Sequence, residues 1–137
     1  MRADLASSSQ HTAAGRDPDR LAGQLHQAAL PQWHALLGFL WQERLERVTV
    51  LSLAYHDAED AASDVTSDRE IRQAARRRAS RFLHRAVTER RALAEIEAAL
   101  SRLANGRFGW CEQCSGVITT SRLAGTPQAR YCASCDC

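Results

Sequence analysis

The chain of 137 residues is long enough for one domain with an appendage and too short for a large double-layered enzyme fold. Its 45% hydrophobic, 25% charged and 6% aromatic residues are typical of a protein rich in helix rather than one built around a sheet. The formal net charge of +2 is too small to indicate nucleic-acid binding by itself.

The first part of the sequence carries no apolar segment of the kind found in targeting signals, and we predict a disordered tail over residues 1–16. The longest apolar run, residues 35–41, is far shorter than a membrane span. We therefore expect a cytoplasmic protein without a membrane association, in which thiols are kept reduced and paired cysteines bind metal rather than form disulfides.

A first helical segment is predicted to begin at Asp17 and Pro18, because an Asp cap followed by Pro suits a helix start. Pro31 should then kink or break the helix. Beyond it, apolar residues recur at steps of three and four with a gap at Arg44, which predicts an amphipathic helix that ends near residue 56. This first stripe consists of Leu30, Trp33, Leu37, Leu40, Val48, Leu51 and Tyr55.

A second helix is predicted from the capping box of Ser67 and Glu70 to the stop signal of Asn105 and Gly106. Its apolar positions also recur at steps of three and four, and they continue through Glu89. This second stripe consists of Ala75, Ala79, Phe82, Ala86, Leu93, Ile96, Leu100 and Leu103.

Two long amphipathic helices separated by a short polar segment most simply bury their stripes against each other. We therefore predict a mainly α fold in which residues 17–104 form a long antiparallel coiled-coil hairpin with its tip near 57–67. Arg44 and Glu89 near the seam should weaken the packing. The alternative is a compact three-helix bundle that uses the segment before Pro31 as its third helix.

The six carboxylates of residues 55–70 fall at this predicted tip, and Arg69 is the one arginine within that stretch that could compensate their charge. The chain then becomes basic, and Arg78, Arg81 and Arg85 share one face of the second helix. Such a stripe is either a solvated face or a docking surface for acidic walls. It lacks the interleaved aromatic residues that single-stranded nucleic-acid binding uses.

Residues 105–137 contain two C-x2-C pairs, which is the ligand number and spacing of an all-cysteine zinc site. The predicted ligands are Cys111, Cys114, Cys132 and Cys135. Four thiolates leave no open coordination position, so the Zn²⁺ would be structural. Cys137 is surplus or could replace Cys135. No nucleophilic constellation or phosphate-binding loop is visible, and we do not expect an enzyme.

Residues 100–135, "LSRLANGRFGWCEQCSGVITTSRLAGTPQARYCASC", resemble the DksA/TraR zinc-finger family of bacterial transcription regulators. The matching positions are the Gly-aromatic approach to the first Cys, the Cys-Glu-x-Cys start, Ile118, the Arg122-Leu123 pair, Pro127, Ala129 and the closing C-x2-C. The hairpin half resembles the family only in general character.

The resemblance implies direct binding to RNA polymerase, with the hairpin inserted into the secondary channel and acidic tip residues near the active site. The family's tip motif is Asp-x-x-Asp-x-Ala, and residues 57–62 spell it. The tip role therefore falls on Asp57, Asp60 and Ala62. Sequence-specific DNA binding is not expected, since Arg107, Arg122 and Arg130 are too few basic residues around the cysteines.

Four features depart from the family pattern. Gly125 stands where the family often has Ala. The glycine that usually follows the second Cys is displaced by one place, as Ser115-Gly116. The spacing from the motif to the first Cys is long, so Asp64 or Asp68 could hold the structural tip instead. The helix that in some members helps to bind the alarmone ppGpp does not follow the cysteines, and we do not expect an alarmone response.

A second hypothesis comes from another functional class. The chain could be a zinc-ribbon adaptor whose hairpin binds another protein or a second copy of itself, and the tip acids would then only solvate the turn. The sequence leaves open the sign of any effect on transcription and the oligomeric state.

Overall fold

A computed structural model describes residues 28–136 of the chain. Its helices are α1 (Leu30–Ser63), α2 (Arg69–Ala104) and the short α3 (Thr120–Gly125). The two long helices pack against each other as a hairpin, and a cysteine-rich module that contains α3 follows. The mainly helical hairpin with a C-terminal four-cysteine module is confirmed. The predicted tail over residues 1–16, and most of the helical segment predicted from residue 18, lie outside the described residues.

α1 begins at the proline where a break was predicted. Pro31 lies in the first turn of the helix, with Ala29 at the N-cap position. The missing N–H of a proline has no helical partner to lose in that turn, so Pro31 starts the helix rather than kinking its interior. The third helix of the alternative bundle would precede this point and lies outside the described residues.

α1 ends at Ser63, well beyond the end predicted near residue 56. Its last turns expose Asp57 and Asp60 but bury Ala58 and Ala62 against α2. Because these alanines continue the seam and favour helix, the acidic stretch stays helical. The tip is consequently narrower than the predicted 57–67, and the connection between the helices spans only residues 64–68.

Asp64 organises this connection. Its Oδ1 accepts hydrogen bonds from the N–H and the hydroxyl of Thr66, at 2.9 and 2.7 Å, and its Oδ2 accepts one from the Ser67 hydroxyl at 2.9 Å. The Ser67 hydroxyl is therefore not available for the predicted capping box. Asp68 holds the N-cap position of α2 instead, without a side-chain cap. The capping-box prediction was wrong because a local turn used the same hydroxyl.

The seam of the hairpin is built from small residues near the tip and from larger ones near the opposite end, the base. Toward the tip, α2 buries Ala75, Ala79 and Ala86. In the middle, Arg44 of α1 donates to Glu89 of α2, with Nη1 and Oε2 2.6 Å apart. The two charged residues that were expected to weaken the packing thus satisfy each other across the seam.

α2 ends as the sequence predicted, at Asn105 and Gly106. The Gly106 N–H donates to the Leu103 carbonyl, and the Arg107 N–H donates to the Arg102 carbonyl at 2.8 Å. These are the paired hydrogen bonds of a Schellman motif, and Gly106 takes the left-handed conformation that it requires, with φ +68°. The motif turns the chain back toward the base of the hairpin.

A hydrophobic core lies at the base, where the cysteine-rich module packs on both helices. Its buried members are Leu37 of α1, Ile96 and Ala99 of α2, and Phe108, Cys111, Ile118, Leu123 and Ala129 of the module. Trp33 adds to it with a ring centroid 5.8 Å from that of Phe108. The module is therefore packed into one core with the base and fixes the hairpin at that end only.

Candidate functional site

The structure brings together the four cysteines that were predicted as ligands. The Sγ atoms of Cys111, Cys114, Cys132 and Cys135 all lie within 4.8 Å of one another. The Sγ atoms of Cys114 and Cys132 are 3.8 Å apart. Two sulfurs bound to one tetrahedral Zn²⁺ through Zn–S bonds of about 2.3 Å are also separated by about 3.8 Å. The donor set and its dimensions fit a four-coordinate metal ion.

The first cysteine pair sits in a tight turn. The Cys111 N–H donates to the Gly116 carbonyl at 2.8 Å, and the Ser115 N–H donates back to the Cys111 carbonyl at 3.0 Å. Ser115 adopts φ +59°, a left-handed conformation that glycine usually provides. The glycine at position 116 is explained by close packing rather than by its φ angle, because a Cβ on Gly116 would lie only 3.3 Å from the Cys114 Sγ.

That close approach lets the Gly116 N–H donate to the Cys114 Sγ at 3.4 Å. The second pair is arranged similarly, since the N–H groups of Cys135 and Asp136 both donate to the Cys132 carbonyl. Backbone N–H groups directed at sulfur stabilise thiolates. The turns therefore place the four sulfurs close together, and the N–H groups directed at the Cys111 sulfur favour its ionised form.

The four thiols differ in acidity. The N–H of Cys114, followed by that of Cys132, lowers the pKa of Cys111 to about 6. Hydrogen bonding to the Cys132 sulfur raises the pKa of Cys135 to about 12. A metal ion that binds all four thiolates must therefore displace the proton held at Cys135, which couples metal binding to pH.

A buried arginine ties the module to the hairpin. Arg102 of α2 is 6% exposed, and its Nη2 donates to the Gln128 carbonyl at 2.9 Å. Its Nη1 lies 3.5 Å from Oε1 of Glu112, which sits between the first two cysteines. Burial lowers the pKa of Arg102 below that of a free guanidinium. Sequence reasoning missed this residue, although it follows Ile96 and Ala99 at helical spacing.

A second arginine extends the connection from the module side. Arg130 donates to Glu95 of α2, with Nε 2.8 Å from Oε2, and its Nη1 lies 3.7 Å from Oε2 of Glu112. Glu112 is therefore shared between Arg102 of the helix and Arg130 of the module. These charged residues join the base core to the turn that carries Cys111 and Cys114.

The three residues of the predicted tip motif occupy two different environments. Asp57 and Asp60 are exposed on the last turns of α1, whereas Ala62 is only 5% exposed and packs in the seam. In the turn itself, the hydrogen bonds from Thr66 and Ser67 hold the pKa of Asp64 below its usual value. The structure thus separates two free carboxylates from one that is engaged in folding the turn.

The arginines predicted to share a face of α2 are exposed. Arg78, Arg81 and Arg85 all point to solvent, and in residues 28–136 none of them forms an ion pair. Arg78 lines a shallow groove together with Asp57 and Phe82. Their exposure fits a solvated face and a docking surface equally well.

Comparison with known proteins identifies the architecture. No family model matches the chain. A curated relative from Aquifex aeolicus (strain VF5), described as an uncharacterized protein, is 44% identical over 43 residues, which is 31% of this chain and 30% of that relative. The structure of transcription factor DksA2 from Pseudomonas aeruginosa has a TM-score of 0.72 and 26% identity, with 86% of each chain covered. The resemblance to the DksA/TraR family is confirmed.

The DksA-like fold has direct consequences for the kind of protein this is. Its structural neighbour is a transcription factor rather than an enzyme. The four-cysteine cluster fits the zinc finger of a DksA-like protein. Within the described residues, neither long helix has an apolar stretch sufficient to cross a bilayer. These findings support a DksA-like transcription factor with a metal-binding site at the base of its hairpin.

Proposed function

We propose that this chain is a zinc-containing transcription regulator that binds RNA polymerase directly, in the cytoplasm, through the polymerase secondary channel. The observation that carries the proposal is the likeness to transcription factor DksA2 over 86% of both chains, hairpin and cysteine module together. In the secondary channel, the hairpin would provide the reach and its tip the effector groups.

The dimensions of the hairpin support this function. α1 has 34 residues and α2 has 36, so the arm is about 50 Å long at 1.5 Å per residue. The large core lies at the base, and the seam near the tip is lined by alanines. Small side chains allow the two helices to approach closely and keep the arm narrow where it would enter a channel.

Asp57 and Asp60 are the carboxylates that we assign to the effector role. Both are exposed, and neither forms an ion pair within the part of the chain that the structure describes. Unpaired carboxylates cost little in water and can meet basic residues or a metal ion on a partner. Asp64 has a different role in this proposal, because its oxygens are already used by the turn.

For Ala62 we propose a structural role within the motif. The residue is buried against α2, so a partner cannot reach its methyl group without opening the hairpin. A small residue at this place lets the helices stay close at the tip and sets the direction in which Asp57 and Asp60 project. The effect of Ala62 on transcription would then be exerted through the carboxylates.

The proposed cofactor is one structural Zn²⁺ held by Cys111, Cys114, Cys132 and Cys135. Four thiolates complete its coordination, so it would organise the module without activating water. Arg102 and Arg130 both form ion pairs with Glu112, which lies between Cys111 and Cys114, and this places their positive charges near the thiolates. The metal would thereby hold together the surface on which the base of the hairpin rests.

Site-directed photo-crosslinking tests polymerase binding. A reactive side chain at Val65, which is 86% exposed at the tip, is better placed than one at the buried Ala62. With purified RNA polymerase from the same organism, we expect labelling of the large subunits near the catalytic centre. A probe at the exposed Gln113 of the cysteine module is the control and should label a different region. If zinc-loaded protein labels no subunit from either site, direct polymerase binding is ruled out and the adaptor hypothesis gains support.

Transcription assays test the effector role of the tip. Replacing both acids, D57A with D60A, should abolish the effect on transcription and leave polymerase binding largely intact. The matched control is E43A with E46A, which removes two negative charges from the same helix far from the tip. An unchanged transcriptional effect in the tip variant would show that these carboxylates are not the effector groups.

A further inference from the structure

A partly exposed stripe runs along one flank of α1, where Glu43 and Val50 border Arg85 of α2. Val50 and Leu53 are 65% and 62% exposed, although both are large apolar residues. Glu43 lies seven residues before Val50, and Asp57 lies four after Leu53, so the four share one helical face. We call Glu43, Val50, Leu53 and Asp57 the acidic stripe. Its centre is apolar and each of its ends is a carboxylate. Asp57 forms no ion pair in the described part of the chain, and Glu43 is held by Arg47 in an exposed pair of the kind that contributes little to stability.

α2 carries the counterpart on one flank. Leu83 and Val87 are 48% and 40% exposed, and Arg76 and Arg90 stand seven residues before the first and three after the second. We call Arg76, Leu83, Val87 and Arg90 the basic stripe. Its centre is also apolar, but both of its ends are positively charged.

The two stripes match in length. Each extends over 14 residue steps, from Glu43 to Asp57 and from Arg76 to Arg90, or about 21 Å along a helix. When the two helices are aligned in the same direction, Glu43 falls opposite Arg76 and Asp57 opposite Arg90. The two apolar pairs then fall opposite each other to within one residue. Charge and apolar contact are satisfied in one alignment.

The stripes cannot meet within one hairpin, because α1 and α2 run in opposite directions and face each other through a different seam. Arg76 and Arg90 form no ion pair in the described part of the chain. Leu83 and Val87 also border a cavity of about 190 Å³ that Tyr55 closes from the α1 side. The cavity offers room for apolar side chains that arrive from outside.

We propose that the acidic stripe of one molecule docks on the basic stripe of a second copy of this chain. The partner helices run in the same direction, which places the two hairpins tip to base. The contact joins two different surfaces, so the first molecule keeps its basic stripe free and the second keeps its acidic stripe free, and further copies can add at both ends. Exposed ion pairs and a small apolar centre make the association weak and salt-dependent.

Sedimentation equilibrium of the zinc-loaded full chain tests the proposal. The weight-average mass should rise above the 15.2 kDa of one chain as the protein is concentrated, and should return toward it in high salt. V50S with L53S removes only exposed side chains and should keep the protein monomeric. The control V65S changes an apolar residue outside both stripes and should associate like the parent protein. A mass of one chain throughout the high-micromolar range would overturn the proposal.

Charge reversal gives the sharper measurement. E43R with D57R makes both stripes positive, and R76E with R90E makes both negative, so each variant alone should associate at least about tenfold more weakly than the parent. An equimolar mixture should recover association, because opposite charges meet again. Circular dichroism establishes that each variant is folded. Two folded variants whose mixture remains monomeric, or that associate separately as the parent does, would refute the pairing of these stripes.

Discussion

Arg44 and Glu89 form an ion pair across the middle of the hairpin, with Nη1 2.6 Å from Oε2 and with side chains 32% and 20% exposed. We expect R44A or E89A to cost about 1 kcal/mol of unfolding free energy, because each leaves a partly buried charge without its partner. Urea unfolding of the single and double variants measures the coupling energy. The exposed pair of Arg47 and Glu43 is the control, and its coupling should not exceed about 0.5 kcal/mol. Equal coupling in the two pairs would contradict a special role for the seam pair.

Ala62 should respond to substitution as a seam residue. A62L adds volume where the residue is 5% exposed, and overpacking of this kind costs about 1–3 kcal/mol. S63L, at the neighbouring exposed position, should change stability little. Thermal unfolding of both variants is the measurement. A tolerated A62L would mean that the tip can open, and that Ala62 is accessible to a partner after all.

Removal of the metal should loosen the base and leave much of the helix content in place. C111S should lose the bound zinc, and because the module packs on Trp33 through Phe108, the tryptophan emission should shift toward that of a solvated ring. Zinc content and fluorescence are the measurements. C137S is the control, since the cluster of four is complete without Cys137. Loss of zinc in C137S and its retention in C135S would transfer the fourth ligand to Cys137.

The turn at the tip should weaken in acid. Hydrogen bonds from Thr66 and Ser67 lower the pKa of Asp64 from 3.8 in the folded chain, so the folded protein favours the ionised carboxylate. Its stabilising contribution is complete above the unfolded pKa and is lost as the pH falls through the lower folded pKa. The stability difference between the parent protein and D64N should therefore be present at neutral pH and disappear in strong acid. A difference independent of pH would mean that Asp64 does not act through its charge.

The two helices and the cysteine cluster were predicted well because each follows a regular residue spacing in the sequence. The steps of three and four located both stripes, and the two C-x2-C pairs indicated one cluster of four sulfurs. The end of α1 was missed because Asp57 to Ser63 contains no large apolar residue. Its seam consists of Ala58 and Ala62, and alanine resembles a polar surface position when a sequence is read for hydrophobicity.

The residues that connect the base were harder to predict for a different reason. Arg102 is charged, so it was not counted with the apolar stripe, although its burial and its bonds to carbonyls of the module are what fix the hairpin there. Its partners Gln128 and Glu112 are brought near only by the fold. Ser67 is a local example of the same difficulty. Its hydroxyl could either cap the second helix or donate to Asp64, and in the structure it donates to Asp64.

The confinement of the cysteine module to the base makes the hairpin a lever. From Leu37 in the base core to the turn at Asp64, the arm extends about 40 Å, so that a rotation of about 5° at the base displaces the tip by about 3.5 Å. A displacement of that size exceeds the length of a hydrogen bond. The position of the Asp57 and Asp60 carboxylates therefore depends on contacts at the opposite end of the molecule, where Arg102 and Arg130 hold the module against α2.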